Sequence, residues 1–107
     1  ARTKIQSHSF VCSLVDIGED CFIGHGVMFI NDTFSLGSPA GGDESLWRNT
    51  KIGSKVSIGS NSTILPVEIC NNVVIGAGSV VTKSITKSGI YSGNPAKFIR
   101  SFEWLSF

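Results

Sequence analysis

Two histidines, His8 and His25, are the side chains of this chain best suited to move a proton. Imidazole is the side chain that changes charge between pH 5 and 8, so its neutral form can serve as a general base. Gly24 and Gly26 flank His25 and leave open space around its ring. The two histidines are 17 residues apart, and the meaning of that spacing depends on the elements that carry them.

Large apolar residues recur at about every sixth position along the chain. They are Ile5, Val11, Ile17, Ile23, Phe29, Leu46, Ile52, Ile58, Ile64, Ile69, Ile75 and Val81. An amphipathic helix requires apolar spacings of three and four, and a half-buried strand requires strict alternation, so this period fits neither. It is typical of the short strands of a parallel β-helix that turns repeatedly through the same corners.

A second, generally smaller residue lies four positions after most of the large ones. The set is Ser9, Val15, Cys21, Val27, Thr33, Thr50, Val56, Ser62, Val73, Ser79 and Ile85. Three six-residue units form one triangular coil of about 18 residues, in which both kinds of residue fill the interior. Successive coils stack about 4.8 Å apart, so we expect His8 and His25 to lie almost above one another at one corner, within roughly 5–7 Å.

The pattern predicts a single all-β domain over residues 1–107 with about four coils. The expected coils are 5–22, 23–51, 52–68 and 69–86. Residues 35–45, with sequence SLGSPAGGDES, are rich in Gly, Ser and Pro and indicate a loop expelled from the second coil. Residues 64–68 form a shortened unit in which Val67 takes the inner position.

The period ends after Thr86, and we expect residues 87–107 to cap the open end of the coil. The apolar and basic segment 98–107 is predicted to form a short helix in that cap. Phe22, Met28 and Ile30 are apolar residues at non-interior positions, and they are candidates for a face that contacts another subunit.

Composition excludes several classes of function. The net charge is +1, so nothing indicates a nucleic-acid footprint or a membrane surface. No apolar run approaches the length of a membrane span, and no signal peptide is visible. The three cysteines, Cys12, Cys21 and Cys70, are too far apart to form a CxxC motif. We expect them to be reduced structural thiols in a cytoplasmic protein, with Cys21 in the core.

Five segments of the chain resemble the hexapeptide-repeat acyltransferases. The repeat TILPVEICNNVVIGAGSVVTKSI and the closing SGNPAKFIR are similar to the family as a whole. KIQSHSFVC, IGHGVMFINDTF and IGSNSTILPVEIC resemble the branch that acetylates amino groups of nucleotide-linked 3-amino or 4-amino sugars. The resemblance covers roughly residues 4–101. It implies a left-handed parallel β-helix, a homotrimer, acetyl-CoA as acyl donor and no metal.

The resemblance also implies a set of site residues. The acceptor sugar would contact Gln6, Asn31 and Asp32, near the candidate bases His8 and His25. The pantetheine arm of acetyl-CoA would lie between two subunits against later coils. The implied cofactor-binding residues are Ser60, Ala77, Gly78, Lys83, Asn94, Pro95, Lys97 and Arg100. Loop 35–45 would cover the acceptor, and Trp47 would pack under it or stack on a nucleotide base.

Alternatives remain at each of these positions. The histidines can be a solvated corner pair, or they can orient an amine that is bound neutral and needs no base. Asp32 can cap the loop, and each lysine can be a solvated charge. A γ-type carbonic anhydrase shares the coil but needs three histidine ligands for zinc, and this chain has two histidines. A non-catalytic or truncated trimeric module would bind no CoA.

Overall fold

The computed structural model describes residues 2–12, 14–31 and 49–102. Short β-strands account for its regular structure. They are β1 (Lys4–Ile5), β2 (Val15–Ile17), β3 (Phe22–Ile23), β4 (Met28–Phe29), β5 (Thr50–Ile52), β6 (Ser57–Ile58), β7 (Thr63–Ile64), β8 (Glu68–Ile69), β9 (Val73–Ile75), β10 (Val80–Val81), β11 (Gly89–Gly93) and β12 (Ala96–Arg100). No helix within these ranges is long and apolar enough to cross a membrane.

The strands form three sheets that the chain visits in rotation. Sheet A has the order β1-β3-β6-β9-β11-β12, sheet B the order β4-β7-β10 and sheet C the order β2-β5-β8. Pairing is parallel throughout, except between β11 and β12. Bridges at Phe10 and Ile85 extend sheets B and C by one layer each. The fold is the predicted left-handed parallel β-helix, with corners AB, BC and CA between its sheets.

The predicted interior is confirmed in the later coils. The large residues Ile23, Phe29, Ile52, Ile58, Ile64, Ile69, Ile75 and Val81 are all buried. So are the second-position residues Cys21, Val27, Thr50, Val56, Ser62, Val73, Ser79 and Ile85, and the inner Val67 of the shortened unit. Leu46, Thr33 and loop 35–45 lie outside the described residues.

The first coil departs from this pattern. Ile5 and Val11 occupy interior positions but remain 50% and 37% exposed. Ile5 pairs with Ile23 on one side only. Because each interior side chain of a β-helix is covered by the layers on both sides of it, the outermost layer buries less apolar surface than those below it.

Hydroxyl groups inside the coil satisfy carbonyl groups of the corners. Ser62 Oγ and Ser79 Oγ donate to Gly76 O at 3.1 Å and 2.6 Å, and Ser9 Oγ donates to Gly24 O at 2.6 Å. Thr50 Oγ1 is buried and has no hydrogen-bond partner among the described residues. Second-position residues of the interior therefore differ: the hydroxyls of Ser62 and Ser79 are hydrogen-bonded, whereas the hydroxyl of Thr50 is not.

This difference predicts opposite effects of two substitutions. Thr50→Val removes an unsatisfied polar atom at nearly constant shape and should stabilise the fold by about 1 kcal/mol. Ser79→Ala leaves Gly93 N, which donates to Ser79 Oγ at 3.2 Å, without its partner. It should destabilise the fold by about 1–2 kcal/mol. Urea unfolding with an unchanged m-value measures both changes, and a loss of stability in Thr50→Val would contradict this account.

The segment before β1 is tied to the next layer of the coil by an ion pair. The Arg2 guanidinium binds the Asp20 carboxylate, with Nη2 to Oδ2 at 2.8 Å. Hydrogen bonding to Arg2, together with its charge, lowers the pKa of Asp20 below its usual range. The pKa of Asp20 is lower in the folded than in the unfolded chain, where it is near 3.9. The ion pair therefore stabilises the fold fully above that unfolded pKa, and this stabilisation is lost as pH falls through the lower pKa of the folded state.

We therefore expect acid to loosen the first coil only while Asp20 is present. Amide exchange at Lys4 and Ile5 should rise as pH falls below about 4 in the wild type, beyond the intrinsic change in exchange rate. In Asp20→Asn it should already be raised at pH 7 and change less. Asp16→Asn removes another exposed carboxylate and should behave as the wild type. Equal pH dependence in all three proteins would show that the ion pair has no role.

The C-terminal segment differs from the prediction. Residues 98–100 were expected to begin a helix, but they belong to β12, which runs antiparallel to β11. The Phe98 ring packs edge-on against Tyr91 with centroids 5.5 Å apart, and Lys87 Nζ lies 4.7 Å from the Phe98 centroid. The turn at 93–96 reverses the chain onto the last free strand of sheet A, and pairing there overrides the local helical signal. Residues 103–107 lie outside the described part of the chain.

Candidate functional site

Corner AB carries one two-residue turn from each coil. The turns are Ser7-His8, His25-Gly26, Ser60-Asn61 and Ala77-Gly78. The second residue of each turn has a positive φ, with values of 63°, 67°, 61° and 71° in chain order. The left-handed conformation lets the backbone turn sharply into sheet B, and it places the first residue of every turn in one column.

Backbone hydrogen bonds hold these turns in register. Gly26 N donates to Ser7 O at 3.1 Å, Asn61 N to His25 O at 2.8 Å and Gly78 N to Ser60 O at 2.9 Å. Gly26 suits its turn because its φ of 67° lies in the left-handed region that favours glycine; a Cβ there would meet Oδ1 of the exposed Asn61 side chain, which can move aside. Corner AB is therefore a ladder of backbone hydrogen bonds that joins its four layers.

The two histidines share corner AB but not one column. The register repeats after 18 residues between the first two coils, with Lys4 opposite Phe22 and Ile5 opposite Ile23. His25 therefore lies against Ser7, and His8 lies against Gly26. The expected stacking of His8 on His25 is displaced by one position, because their spacing of 17 is one short of the repeat.

His25 makes a defined side-chain contact and His8 makes none among the described residues. His25 Nδ1 lies 2.9 Å from Ser7 Oγ. Both histidine side chains are exposed, so a ligand can reach the imidazole ring of His25. The sequence analysis missed Ser7, although the 18-residue repeat itself would have identified it as the residue above His25.

The proposed cofactor residues continue the same corner. Ser60 and Ala77 follow His25 in its column, and Gly78 follows Gly26. The corner extends into a fifth layer at the β11–β12 turn, where Gly93 N donates to Ser79 Oγ at 3.2 Å. Asn94 and Pro95 belong to that turn. From the His25 layer to the Gly93 layer the distance is roughly 14 Å, three strand spacings.

The lower part of this corner presents little side-chain bulk. Ala77 and Gly78 are exposed, and a Cβ built on Gly78 would meet no atom within 4 Å. Gly59, in the layer above, must be glycine because its Cβ would lie 2.5 Å from Ala77 N. An extended ligand can therefore approach the backbone here without displacing a side chain.

The three basic residues expected to bind CoA lie in two different parts of the fold. Lys97 and Arg100 are exposed on β12, and Lys97 pairs with Ser92 next to corner AB. Lys83 is exposed at corner BC, directly after β10. Corner BC is opposite sheet A in the triangular section, so proximity in sequence does not bring Lys83 to Lys97 within one chain.

The proposed acceptor residues are also divided. Gln6 is half-buried and directly precedes the Ser7-His8 turn, so it lies at corner AB. Asn31 is half-buried beyond β4, five residues from Gly26 and roughly 17 Å along an extended chain. Within one chain the structure does not bring Asn31 next to His25. Asp32 and Trp47 lie outside the described residues.

The grooves found on the described surface lie away from corner AB. Two shallow grooves of about 320 and 430 Å³ lie on the outer side of sheet C, and both are lined by Lys51 and Glu68. Corner AB is instead an open edge, flanked by the exposed apolar side chains of Phe10, Phe22 and Met28. Ile30, the third apolar candidate, is half-buried. An open edge with apolar flanks forms a cleft only against a second surface.

Comparison with known proteins finds a hexapeptide-repeat family model and several acetyltransferases. Residues 49–83 match the family model for the hexapeptide repeat of succinyl-transferase. A probable macrolide acetyltransferase of Lysinibacillus sphaericus is 35% identical, covering 91% of this chain and 66% of its own length. The polySia-specific acetyltransferase NeuO is 33% identical with a TM-score of 0.74, covering 94% of this chain and 49% of NeuO.

A further solved relative contains a ligand. Galactoside acetyltransferase in complex with coenzyme A is 34% identical with a TM-score of 0.70, covering 83% of this chain and 46% of that protein. The chain therefore spans about half to two thirds of the length of these relatives. Among the described residues, no group of three or more His, Cys, Asp or Glu side chains is placed to hold a metal ion.

Proposed function

Because this chain belongs to the hexapeptide-repeat acyltransferases, we propose that it transfers the acetyl group of acetyl-CoA to the amino group of a nucleotide-linked 3-amino or 4-amino sugar. The observation that carries the proposal is the alignment of His25, Ser60 and Ala77 in one column of corner AB. The resemblance of KIQSHSFVC and IGHGVMFINDTF to the amino-sugar branch supports the acceptor.

The reaction requires an oriented amine and an acceptor for its proton. The amine nitrogen attacks the thioester carbonyl carbon, a C–N bond forms and the C–S bond breaks. In this proposal Nε2 of His25 takes the proton that the nitrogen loses and passes it to the leaving sulfur, which gives free CoA. Holding both substrates at one corner supplies the orientation, and His8 and Gln6 contact the sugar from the layer above.

The lower corner suits the donor substrate. Pantetheine carries amide groups, and the exposed backbone at Ala77 and Gly78 is accessible without side-chain obstruction. Lys97 and Arg100 present positive charge on β12, where they would face the phosphates of CoA. Asn94 and Pro95 shape the turn between these two regions.

Lys83 fits this scheme only across a subunit boundary. It lies at corner BC, so in the proposal it reaches CoA from a neighbouring copy of the chain in a homotrimer. Exposed Phe10, Phe22 and Met28 beside corner AB support an assembly that covers them. Asn31 would likewise meet the acceptor from a neighbouring subunit.

Charge removal tests the donor site. Lys97→Ala and Arg100→Ala should each weaken acetyl-CoA binding several-fold, since exposed charge contacts contribute about 0.2–1 kcal/mol. The loss should shrink as salt is raised. Calorimetry measures the Kd, with exposed Lys4→Ala as the control. Lys83→Ala should show the same loss only if light scattering finds a trimer. An unchanged Kd in the triple variant would reject these contacts.

A direct assay tests the reaction. The chain is incubated with acetyl-CoA and a panel of dTDP- and UDP-linked 3-amino and 4-amino sugars, and the product is identified by mass spectrometry. We expect an N-acetyl sugar from at least one acceptor. Failure to bind acetyl-CoA in calorimetry would instead identify a non-catalytic β-helix module.

A hydroxyl acceptor is the second candidate. It is favoured by 46% identity over 52 residues to a protein described as a putative lipopolysaccharide biosynthesis O-acetyl transferase of Escherichia coli. Hydroxylamine distinguishes the two products, because it cleaves an ester and leaves an amide intact. A hydroxylamine-sensitive product formed from sugars without an amine would therefore replace the amino-sugar proposal with O-acetylation.

A further inference from the structure

We infer that Ser7 is a positioning residue that holds His25 with its proton on Nδ1 and the lone pair of Nε2 directed to the acceptor. The inference rests on the proposed acetyl transfer. Its basis is the contact of 2.9 Å between Ser7 Oγ and His25 Nδ1. The two residues are 18 apart in the sequence and adjacent in one column of corner AB.

The backbone fixes both partners of this contact. Gly26 N donates to Ser7 O at 3.1 Å, and Asn61 N donates to His25 O at 2.8 Å. The backbone of Ser7 is thus anchored to the second layer, and the backbone of His25 to the third. Only the two side-chain rotamers remain to be set, and the hydrogen bond between Oγ and Nδ1 sets them together.

The chemistry of imidazole determines the direction of that bond during the reaction. Once Nε2 has accepted a proton, both ring nitrogens are donors and Ser7 Oγ can only accept. A hydrogen bond that accepts from the cation is stronger than one between neutral groups. Ser7 Oγ can therefore accept from Nδ1 before and after the transfer, and with Nδ1 as the donor the neutral ring keeps the lone pair of Nε2 for the amine proton.

The proton balance is complete with groups already named. The substrate amine gives its proton to Nε2 as the C–N bond forms, while Nδ1 keeps its own proton and Ser7 keeps its hydroxyl proton. Nε2 then gives the proton to the sulfur as the C–S bond breaks. Ser7 neither gains nor loses a proton and acts only through the ring of His25, so its role is positional.

His8 provides no comparable arrangement. It follows Ser7, adopts φ 63° and lies against Gly26, which has no side chain. Among the described residues its ring makes no hydrogen bond or ion pair. The structure therefore distinguishes the two histidines, which the sequence left equivalent, and selects His25 as the one with an orienting partner.

The experiment combines kinetics with nitrogen NMR on the full chain. Ser7→Ala should lower kcat about tenfold, with KM for acetyl-CoA within about twofold, since a hydrogen bond to a charged group typically contributes on this scale. Ser7→Thr keeps the hydroxyl and should restore most of the turnover. Ser54→Ala is the matched control, because it removes a hydroxyl that accepts from Glu19 N at corner CA and should leave kcat unchanged.

Spectra of ¹⁵N-histidine-labelled protein read the tautomer without any turnover. The wild type should show His25 with the proton on Nδ1 at neutral pH or above, and Ser7→Ala should show a mixture of the two tautomers. A proton on Nε2 in the wild type, or a kcat for Ser7→Ala equal to that of the wild type, would overturn the inference. An inactive wild type with the Nδ1-protonated ring would refute the proposed function while leaving the positioning contact established.

Discussion

Replacing His25 with asparagine is expected to lower turnover about 10²–10⁴-fold while leaving the affinity for acetyl-CoA within about twofold. Asparagine retains a polar group near Ser7, but its amide cannot act as a base near neutral pH. The loss should therefore appear in kcat at saturating acceptor, with little change in KM for the donor. Steady-state kinetics and calorimetry on the same preparations measure the two quantities.

His8→Asn is the matched comparison, because the same substitution is made one layer away in a residue that has no side-chain partner among the described residues. It should raise KM for the acceptor and retain most of the turnover. Near-normal turnover in the double variant His8→Asn, His25→Asn would contradict a base at this corner. Orientation of a neutral amine would then account for the whole contribution of the histidines.

Truncating Ile58 to alanine is expected to cost about 2–5 kcal/mol of the free energy of unfolding. Ile58 is fully buried in the third layer, with Ile23 and Ile75 as its register partners above and below. The coil is narrow, so the surrounding backbone cannot collapse into the cavity. Because domains of this size are stable by only about 5–15 kcal/mol, the loss should be plain in urea unfolding.

Ile5→Ala is the control, since Ile5 occupies the same column in the first layer and is 50% exposed. It should cost less than about 1 kcal/mol, because the methyl groups removed are already partly in water. Equal losses for Ile5→Ala and Ile58→Ala would contradict the difference in burial between these two layers.

The interior could be predicted from the sequence because one local geometry repeats. Each six-residue unit places a large residue inside, so Ile23, Ile58 and Ile75 follow from the period alone. The period carries no information about whether a layer is covered, and for this reason Ile5 and Val11 are more exposed than their positions predict. Residues 35–45 interrupt the period of the sequence, and they lie outside the described residues.

The candidate site could be predicted only in part. The repeat brought both histidines to one corner, but a difference of one residue in spacing decides which side chain His25 meets. That residue is Ser7. Its hydrogen bond to His25 joins two polar side chains, and the period of apolar residues gives no information about such contacts. Residues 98–100 differ from the prediction for a related reason, because their local apolar and basic pattern does not reveal that Phe98 pairs with Tyr91 across a hairpin.

The measurement that tests the central claim most directly is a titration of the ¹⁵N-labelled chain with acetyl-CoA, followed by amide chemical shifts. Binding along corner AB predicts the largest changes at Ser60, Ala77, Gly78 and Gly93, with smaller changes at His25. Changes confined to the sheet C groove, at Lys51, Glu68 and Cys70, or no change at millimolar acetyl-CoA, would contradict the account.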